Sequence, residues 1–491
     1  MTFQRPLLLT LSAAAVAAAT LTAPATPAAA SAPAPALSWH SCAGAPADDA
    51  RECASLPVPL DYRDPDGEQI HLAVTRLRTD QPAHRRGTLL LVAGGPGGSG
   101  VDMVKNRAQQ FRKETGGAYD IVGLDPRGTG GSSTADCGLS EDDRDMTNFR
   151  SWPAPDGSIA ANVEHSRRIA AQCARNGGAV LRSMSTANEV RDIDRFRQAL
   201  GERKLSAYGV SYGTYVAAEY AQKYPQHTGR WVLDSTGDPD PAHVERGWLA
   251  NMAGGADDRF PDFAAWAAEH GIAERAEDVR PLFLSTAAKL DREPKTFGDG
   301  KLLTGNLLRQ MLQNALYSDR QFQDFGELFR AAALPGRSLP MAYPARLTLP
   351  PHDAAVSMAV ICNDVRWPRS VASYERAVAA DRARHPLTAG MPANVTPCAF
   401  WDHDPADKPA RITADGPSNV LMVQNLRDPA TPYSGALKMR RALGDRARLV
   451  SVDAGGHGAY LANGNACGDR AVSRFLADGE RPAGDVLCPK S

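Results

Sequence analysis

Three residues in this chain have the types and settings needed to break an acyl bond. Ser211 stands in Gly209-Val-Ser-Tyr-Gly213, a G-x-S-x-G pentapeptide. Asp428 stands in Arg427-Asp-Pro-Ala-Thr-Pro432, and His457 in Gly455-Gly-His-Gly458. A serine hydroxyl is a weak nucleophile until a base takes its proton. An imidazole does this near neutral pH, and a carboxylate fixes its tautomer and steadies its cation. A serine lifted on a tight strand-to-helix turn needs glycine neighbours to relieve crowding, and the helix that follows offers unpaired N–H groups beside it. Taken alone, the pentapeptide also fits an ordinary glycine-flanked turn.

The elements that must position these residues are legible in the hydrophobic pattern. Ile70, Leu72 and Val74 alternate as in a half-buried strand, whereas Thr88-Leu-Leu-Leu-Val-Ala93 is a continuous apolar run suited to a strand buried on both faces. Tyr119–Leu124, Leu205–Val210 and Arg230–Asp234 read as further strands. Between them, Ser185 and Thr186 cap a helix with Val190, Ile193, Phe196 and Leu200 on one face, and another helix follows Ser211. Strand and helix therefore alternate from 88 to 235, the signature of a parallel α/β sheet. Residues 140–185 read as polar and partly helical, and 238–350 as mostly helical, an inserted layer. Strands resume at Asn419–Gln424 and Arg448–Val452, so Asp428 and His457 both fall just past carboxyl ends of strands, where open α/β sheets place their sites. The order Ser, Asp, His is that of α/β-hydrolases. Asp234 and Asp453 are rival acids; His352 and His403 are rival bases outside recognisable strand ends.

Gly94-Gly-Pro-Gly-Gly-Ser-Gly100 leaves the strand at 88–93. It lacks the Gly-Lys-Ser/Thr of a phosphate-binding P-loop, and Pro96 removes one N–H from any cradle, so an oxyanion-binding loop is the better reading. Asp125-Pro-Arg-Gly-Thr-Gly130 reads as a structural turn beside the site.

Composition bounds the partners. The chain of 491 residues balances 55 Lys and Arg against 56 Asp and Glu, which gives no basic excess for nucleic acid. Arg5, an apolar run from Leu7 to Leu21 and a small-residue stretch ending near Ala30 have the layout of an export signal, residues 1–30, followed by an extension over 31–55. No other stretch is apolar and long enough to cross a membrane, so no stable membrane insertion is expected after signal removal. Eight cysteines in an exported chain read as four disulfides. Pairing sequence neighbours gives Cys42–Cys53, Cys137–Cys173, Cys362–Cys398 and Cys467–Cys488. The absence of any C-x-x-C pair argues against a zinc site of that type, and neither a metal nor another cofactor is expected.

Together, Gly94-Gly-Pro-Gly97, Asp125–Gly130, Gly209–Thr214, Asp428–Pro432 and Gly455–Gly458 resemble the secreted tripeptidyl aminopeptidases of actinomycetes, relatives of prolyl iminopeptidase. The resemblance runs from about Leu56 to the C-terminus. Prolyl iminopeptidases begin the glycine loop with His, whereas Ala93 stands here, which favours the tripeptidyl branch. It implies an α/β-hydrolase fold with a mostly parallel sheet, a catalytic domain over 56–237 and 385–491, and a helical lid over 238–384. It implies that the Gly95 and Tyr212 backbone N–H groups form the oxyanion hole. It further implies a monomer that releases short peptides, tripeptides above all, from free N-termini of peptide or protein substrates. The substrate ammonium would need an acceptor in the lid, for which Asn363 and Asp364 are the candidates. A secreted esterase or lipase with the same triad is the alternative.

Overall fold

The apolar runs of the sequence become the middle of one large sheet. A computed structural model describes residues 36–46, 48–240, 244–339 and 348–490, together with Met1. The export-signal reading of 1–30 lies outside these, apart from Met1. The strands are β1 (His40–Ser41), β2 (Arg51–Pro59), β3 (Gln69–Leu77), β4 (Gly87–Val92), β5 (Tyr119–Leu124), β6 (Leu205–Val210), β7 (Thr228–Asp234), β8 (Lys295–Thr296), β9 (Leu302–Leu303), β10 (Val420–Arg427), β11 (Ala447–Gly455) and β12 (Val486–Cys488). Ten of them form a sheet in the order β1-β2-β3-β5-β4-β6-β7-β10-β11-β12. The ladder is parallel from β5 through β12, and β1, β2 and β3 join it antiparallel.

The continuous apolar runs have a physical reason. Leu90 and Val92 enter one core and Leu89 and Leu91 the other; Val420 and Met422 likewise oppose Leu421 and Val423. Successive strand residues point to opposite faces, so a sheet covered on both sides needs an apolar residue at every position. Each such side chain contributes about 1.5–3 kcal/mol on burial. Helices Thr186–Ala199, Tyr212–Lys223 and Tyr433–Leu443 supply one cover, and Gly100–Glu114 with Ala466–Asp478 the other. The α/β-hydrolase architecture expected from the sequence is present.

Between β7 and β10 the chain is mainly helical. Val244–Glu269, Ala276–Arg292, Gly305–Ala315 and Phe322–Ala333 share a core of their own, built on Phe260, Phe263, Phe283, Phe325 and Phe329. The β8–β9 pair is a small hairpin within it. Helix Pro351–Asp364 behaves differently: Ala354, Ala355, Val356, Met358 and Val360 pack into the main core beneath the sheet. This helix therefore packs with the sheet core rather than with the four helices before it. Disulfides join Cys42–Cys53, Cys137–Cys173, Cys362–Cys398 and Cys467–Cys488. Strands β1 and β12 are too short to carry a sequence pattern, and both are tied by these bridges.

Candidate active site

β6 delivers Ser211 to a turn in which the serine adopts φ 58° and ψ −129°, immediately before helix Tyr212–Lys223. A non-glycine residue held there stores about 1–3 kcal/mol of strain, so the surroundings must fix it. They do: the Ser211 N–H donates to the Asp234 carbonyl at 3.0 Å, and Thr214 Oγ1 donates to the Ser211 carbonyl at 2.6 Å. Close packing explains two of the glycines. A Cβ on Gly94 would lie 2.8 Å from the Ser211 Cβ, and one on Gly213 would strike the Val92 and Ala93 carbonyls.

Asp428 and His457 meet as their strand-end positions predict. His457 Nδ1 lies 3.0 and 2.9 Å from the two Asp428 oxygens. Facing a carboxylate, Nδ1 carries the proton, which leaves Nε2 as the base. Asp428 is buried and also accepts from the Ala430 and Thr431 N–H groups, both at 2.9 Å, and from Thr431 Oγ1. Burial works against the His457 cation. The charge and hydrogen bond of Asp428, with Asp234 behind, outweigh it and hold the imidazole pKa above its ordinary value.

The rival acids have other work. Asp234 accepts from the backbone N–H groups of Ala459 and Tyr460, both at 2.8 Å, and from Tyr208 Oη at 2.6 Å. Its carbonyl holds Ser211 and its carboxylate holds the loop after His457, so one residue braces both. Next to it, Ser235 Oγ accepts from the Gly458 N–H at 2.9 Å. Asp453 pairs with Arg427 at 2.6 Å instead. The helical layer reaches the base through Tyr317, whose carbonyl accepts the His457 N–H at 2.9 Å and whose ring stands edge-on to the imidazole. The other histidines are bound elsewhere, His352 to the Ala135 carbonyl and His403 to Asp402 and Asn363.

Gly95 lines the same cleft as Ser211. Tyr212 follows Ser211 directly and opens the helix Tyr212–Lys223, which places its N–H at the helix N-terminus. Its phenol is anchored in the interior: Tyr212 Oη lies 2.7 Å from Thr186 Oγ1 and donates to Glu189 at 3.2 Å. Thr186 in turn donates to Asp364 through both its N–H and its hydroxyl. Burial raises both carboxyl pKa values, that of Glu189 to about 8.

This network corrects the assignment of Asn363 and Asp364 to substrate binding. Both are buried. Asn363 donates to the Leu181 and Met184 carbonyls and accepts from Trp401 Nε1. Neither lines the cleft, because helix Pro351–Asp364 turns its C-terminal end into the main core. Several charges of the helical layer pair with one another: Arg259 with Asp262 and Asp319, and Asp257 with Arg280 and His385. The cleft encloses about 190 Å³, and its lining is largely apolar, with Met146, Phe149, Met252 and Ile361 beside Arg150. The sequence signal for Arg150 was slight: it lies in the polar segment 140–185, which has no strand pattern.

The Asp125 turn is structural, as read: its carboxylate accepts from Ser99 Oγ and from the Val101 and Gly131 N–H groups, and Arg127 pairs with Asp192.

A family described as "TAP-like protein" matches residues 386–488, the stretch with β10, β11, Asp428 and His457. A tripeptidyl aminopeptidase of Streptomyces lividans is 32% identical, covering 89% of this chain and 83% of its own. The chain belongs to the tripeptidyl aminopeptidase family of α/β-hydrolase serine peptidases. Other relatives carry different names. Serine protease Hip1 of Mycobacterium tuberculosis is 28% identical over 89% of this chain and 87% of its own. A protein named carboxylesterase B, from the same species, is 32% identical over 92% and 89%. Among the described residues, no helix is long and apolar enough to cross a membrane.

Proposed function

We propose that this peptidase is exported and releases short peptides, tripeptides in the first instance, from free N-termini of polypeptides. Ser211 is the nucleophile, His457 the general base and then acid, and Asp428 the orienting carboxylate. The Ser211 hydroxyl attacks the scissile carbonyl as His457 Nε2 takes its proton. The oxyanion is met by the N–H groups of Gly95 and Tyr212, each donor being worth about 3–4 kcal/mol in the transition state. His457 then protonates the leaving amine, and water repeats the sequence on the acyl-enzyme. In this reading residues 56–237 and 385–491 make the catalytic domain and 238–384 cover it, with helix Pro351–Asp364 acting as part of the catalytic wall.

The observation that carries the proposal is the His457–Asp428 pair, at 2.9 Å, on a loop braced by the same Asp234 that holds Ser211. The test is a peptide series with free and acetylated N-termini and acyl segments of one, two and three residues. Cleavage should peak at three residues and collapse on acetylation. Equal rates on blocked and free peptides would remove the exopeptidase reading.

The apolar cleft also suits ester hydrolysis through the same acyl-enzyme, and one relative is named a carboxylesterase. Comparing kcat/KM on nitrophenyl esters and on peptides decides between them.

A further inference from the structure

Behind the Ser211 cleft lies a second, more enclosed pocket. The two share Phe149, Arg150, Leu249 and Ile361 as walls. The inner pocket encloses about 60 Å³, several times what one water needs, and its lining is mainly apolar. Two strong hydrogen-bond donors, Arg150 and His165, stand in that lining beside Asn148, Ser151 and Thr396.

Neither donor is satisfied by the protein. Among the described residues, no carboxylate pairs with the Arg150 guanidinium and no acceptor takes its hydrogens. His165 Nδ1 faces an Arg168 Nη2 donor at 3.0 Å, so Nδ1 accepts and Nε2 carries the proton. That Nε2 is buried and has no partner. Burial, with the nearby Arg168 cation, lowers the imidazole pKa, which keeps the ring neutral and Nε2–H a donor. Buried donors without acceptors cost free energy unless something supplies the acceptor. Here one such donor, His165 Nε2–H, lines an apolar pocket together with the half-buried Arg150 cation, and the pocket opens beside the nucleophile.

We propose that this pocket takes an acidic side chain from the acyl segment of the substrate, its carboxylate received by Arg150 and His165. The proposal rests on the serine exopeptidase reading and names the substrate class of that site: peptides with Asp or Glu in the short N-terminal segment that is released. The enclosure favours the acyl side, because the long leaving chain needs an open path. The same cation disfavours an ammonium close to the scissile carbonyl. It therefore selects against lysine there and against one-residue acyl groups, whose α-ammonium would sit beside Arg150.

The test compares kcat/KM for matched tripeptide-releasing substrates with Glu, Gln or Lys placed in turn at each acyl position. At one position the wild-type enzyme should favour Glu over Gln on the order of tenfold to a hundredfold, the range for a hydrogen-bonded charge pair. Arg150→Gln should bring that ratio to within about threefold of unity, Arg150→Lys should retain most of it, and His165→Asn should lower it in part. Each ratio is internal to one variant, so a general loss of activity cancels. Should Arg150→Gln not fold, the wild-type ratio between pH 4 and 7 answers the question. Glu and Gln substrates meet the same enzyme titrations, and the ratio should fall towards unity as the substrate carboxyl protonates near its ordinary pKa of about 4.3. A wild-type enzyme indifferent to Glu at every position overturns the proposal. So does a preference that survives Arg150→Gln, or one that does not change with pH. N-acetylated copies of the Glu and Gln substrates keep the two claims apart: their cleavage sinks the exopeptidase reading and still reports the Glu-to-Gln ratio.

Discussion

The two ends of the substrate path are built on opposite principles. Around Ser211 the backbone and carboxylate groups are partnered within the protein: Asp234 alone holds the serine N–H, two backbone N–H groups of the His457 loop and the Tyr208 hydroxyl. In the pocket behind, Arg150 and His165 Nε2 have no protein acceptor among the described residues. A reaction centre gains from groups that cannot move. A recognition pocket needs unmet valence that a ligand completes. Satisfaction at one end and its lack at the other divide the cleft into chemistry and selection.

Breaking the satisfied end should have the largest effect. Ser211→Ala is expected to lower kcat by about 10⁵–10⁶-fold while circular dichroism and Tm stay near wild type, since it removes only the attacking oxygen. Activity within tenfold of wild type in the purified variant would move the nucleophile elsewhere. Asp428→Asn should cost about 10⁴-fold in kcat through loss of the imidazole tautomer. It also removes the groups that raise the His457 pKa against burial. The base works when neutral, so the wild-type acid limb of kcat/KM should lie above the ordinary imidazole value. In the variant it should move to lower pH; an unmoved limb would assign it to another group. Gly94→Ala places a methyl against Ser211, at 2.8 Å from its Cβ. A loss of about 10²-fold in kcat with little change in KM is expected, since ångström-scale misplacement has that effect.

The smallest expected effect sharpens the contrast, because it concerns the interior behind Tyr212. Burial raises the Glu189 pKa to about 8 from 4.5. A carboxyl raised on folding stabilises the protein while both states are protonated, below its unfolded pKa, and that contribution is lost as pH rises through the folded value. Glu189→Gln should therefore raise the relative Tm at pH 8–9, by the equivalent of roughly 1–3 kcal/mol, and change little at pH 4. A Tm difference that does not vary with pH would show that Glu189 does not titrate in this window.

Much of this was legible in the sequence, for reasons that residues make clear. Strands β4 and β10 announce themselves because burial on two faces makes Leu89–Val92 and Val420–Val423 continuous apolar runs, and Asp428 and His457 then inherit their places from the strand ends. The failures share one cause, the lack of tertiary direction in local pattern. Asn363 and Asp364 looked like polar residues at a helix end facing the cleft; the helix is instead turned so that they meet Thr186, Leu181 and Met184. Asp234 read as an alternative acid because its strand-end position is right, and only the contacts of its two oxygens reveal a brace. Arg150 and His165 sit in the polar, partly helical stretch 140–185, and what distinguishes them is the absence of a protein acceptor for the Arg150 guanidinium and for His165 Nε2 among the described residues, which sequence does not encode.

The disulfide pattern has a consequence for how the chain is made. Each bridge joins neighbours along the sequence, with separations of 11, 36, 36 and 21 residues, and no bridge encloses or interleaves with another. A chain threaded from its N-terminus into an oxidising space can close each loop as soon as the second cysteine of that loop arrives. Vectorial arrival alone then specifies one pairing out of 105, with no need to shuffle wrong bonds.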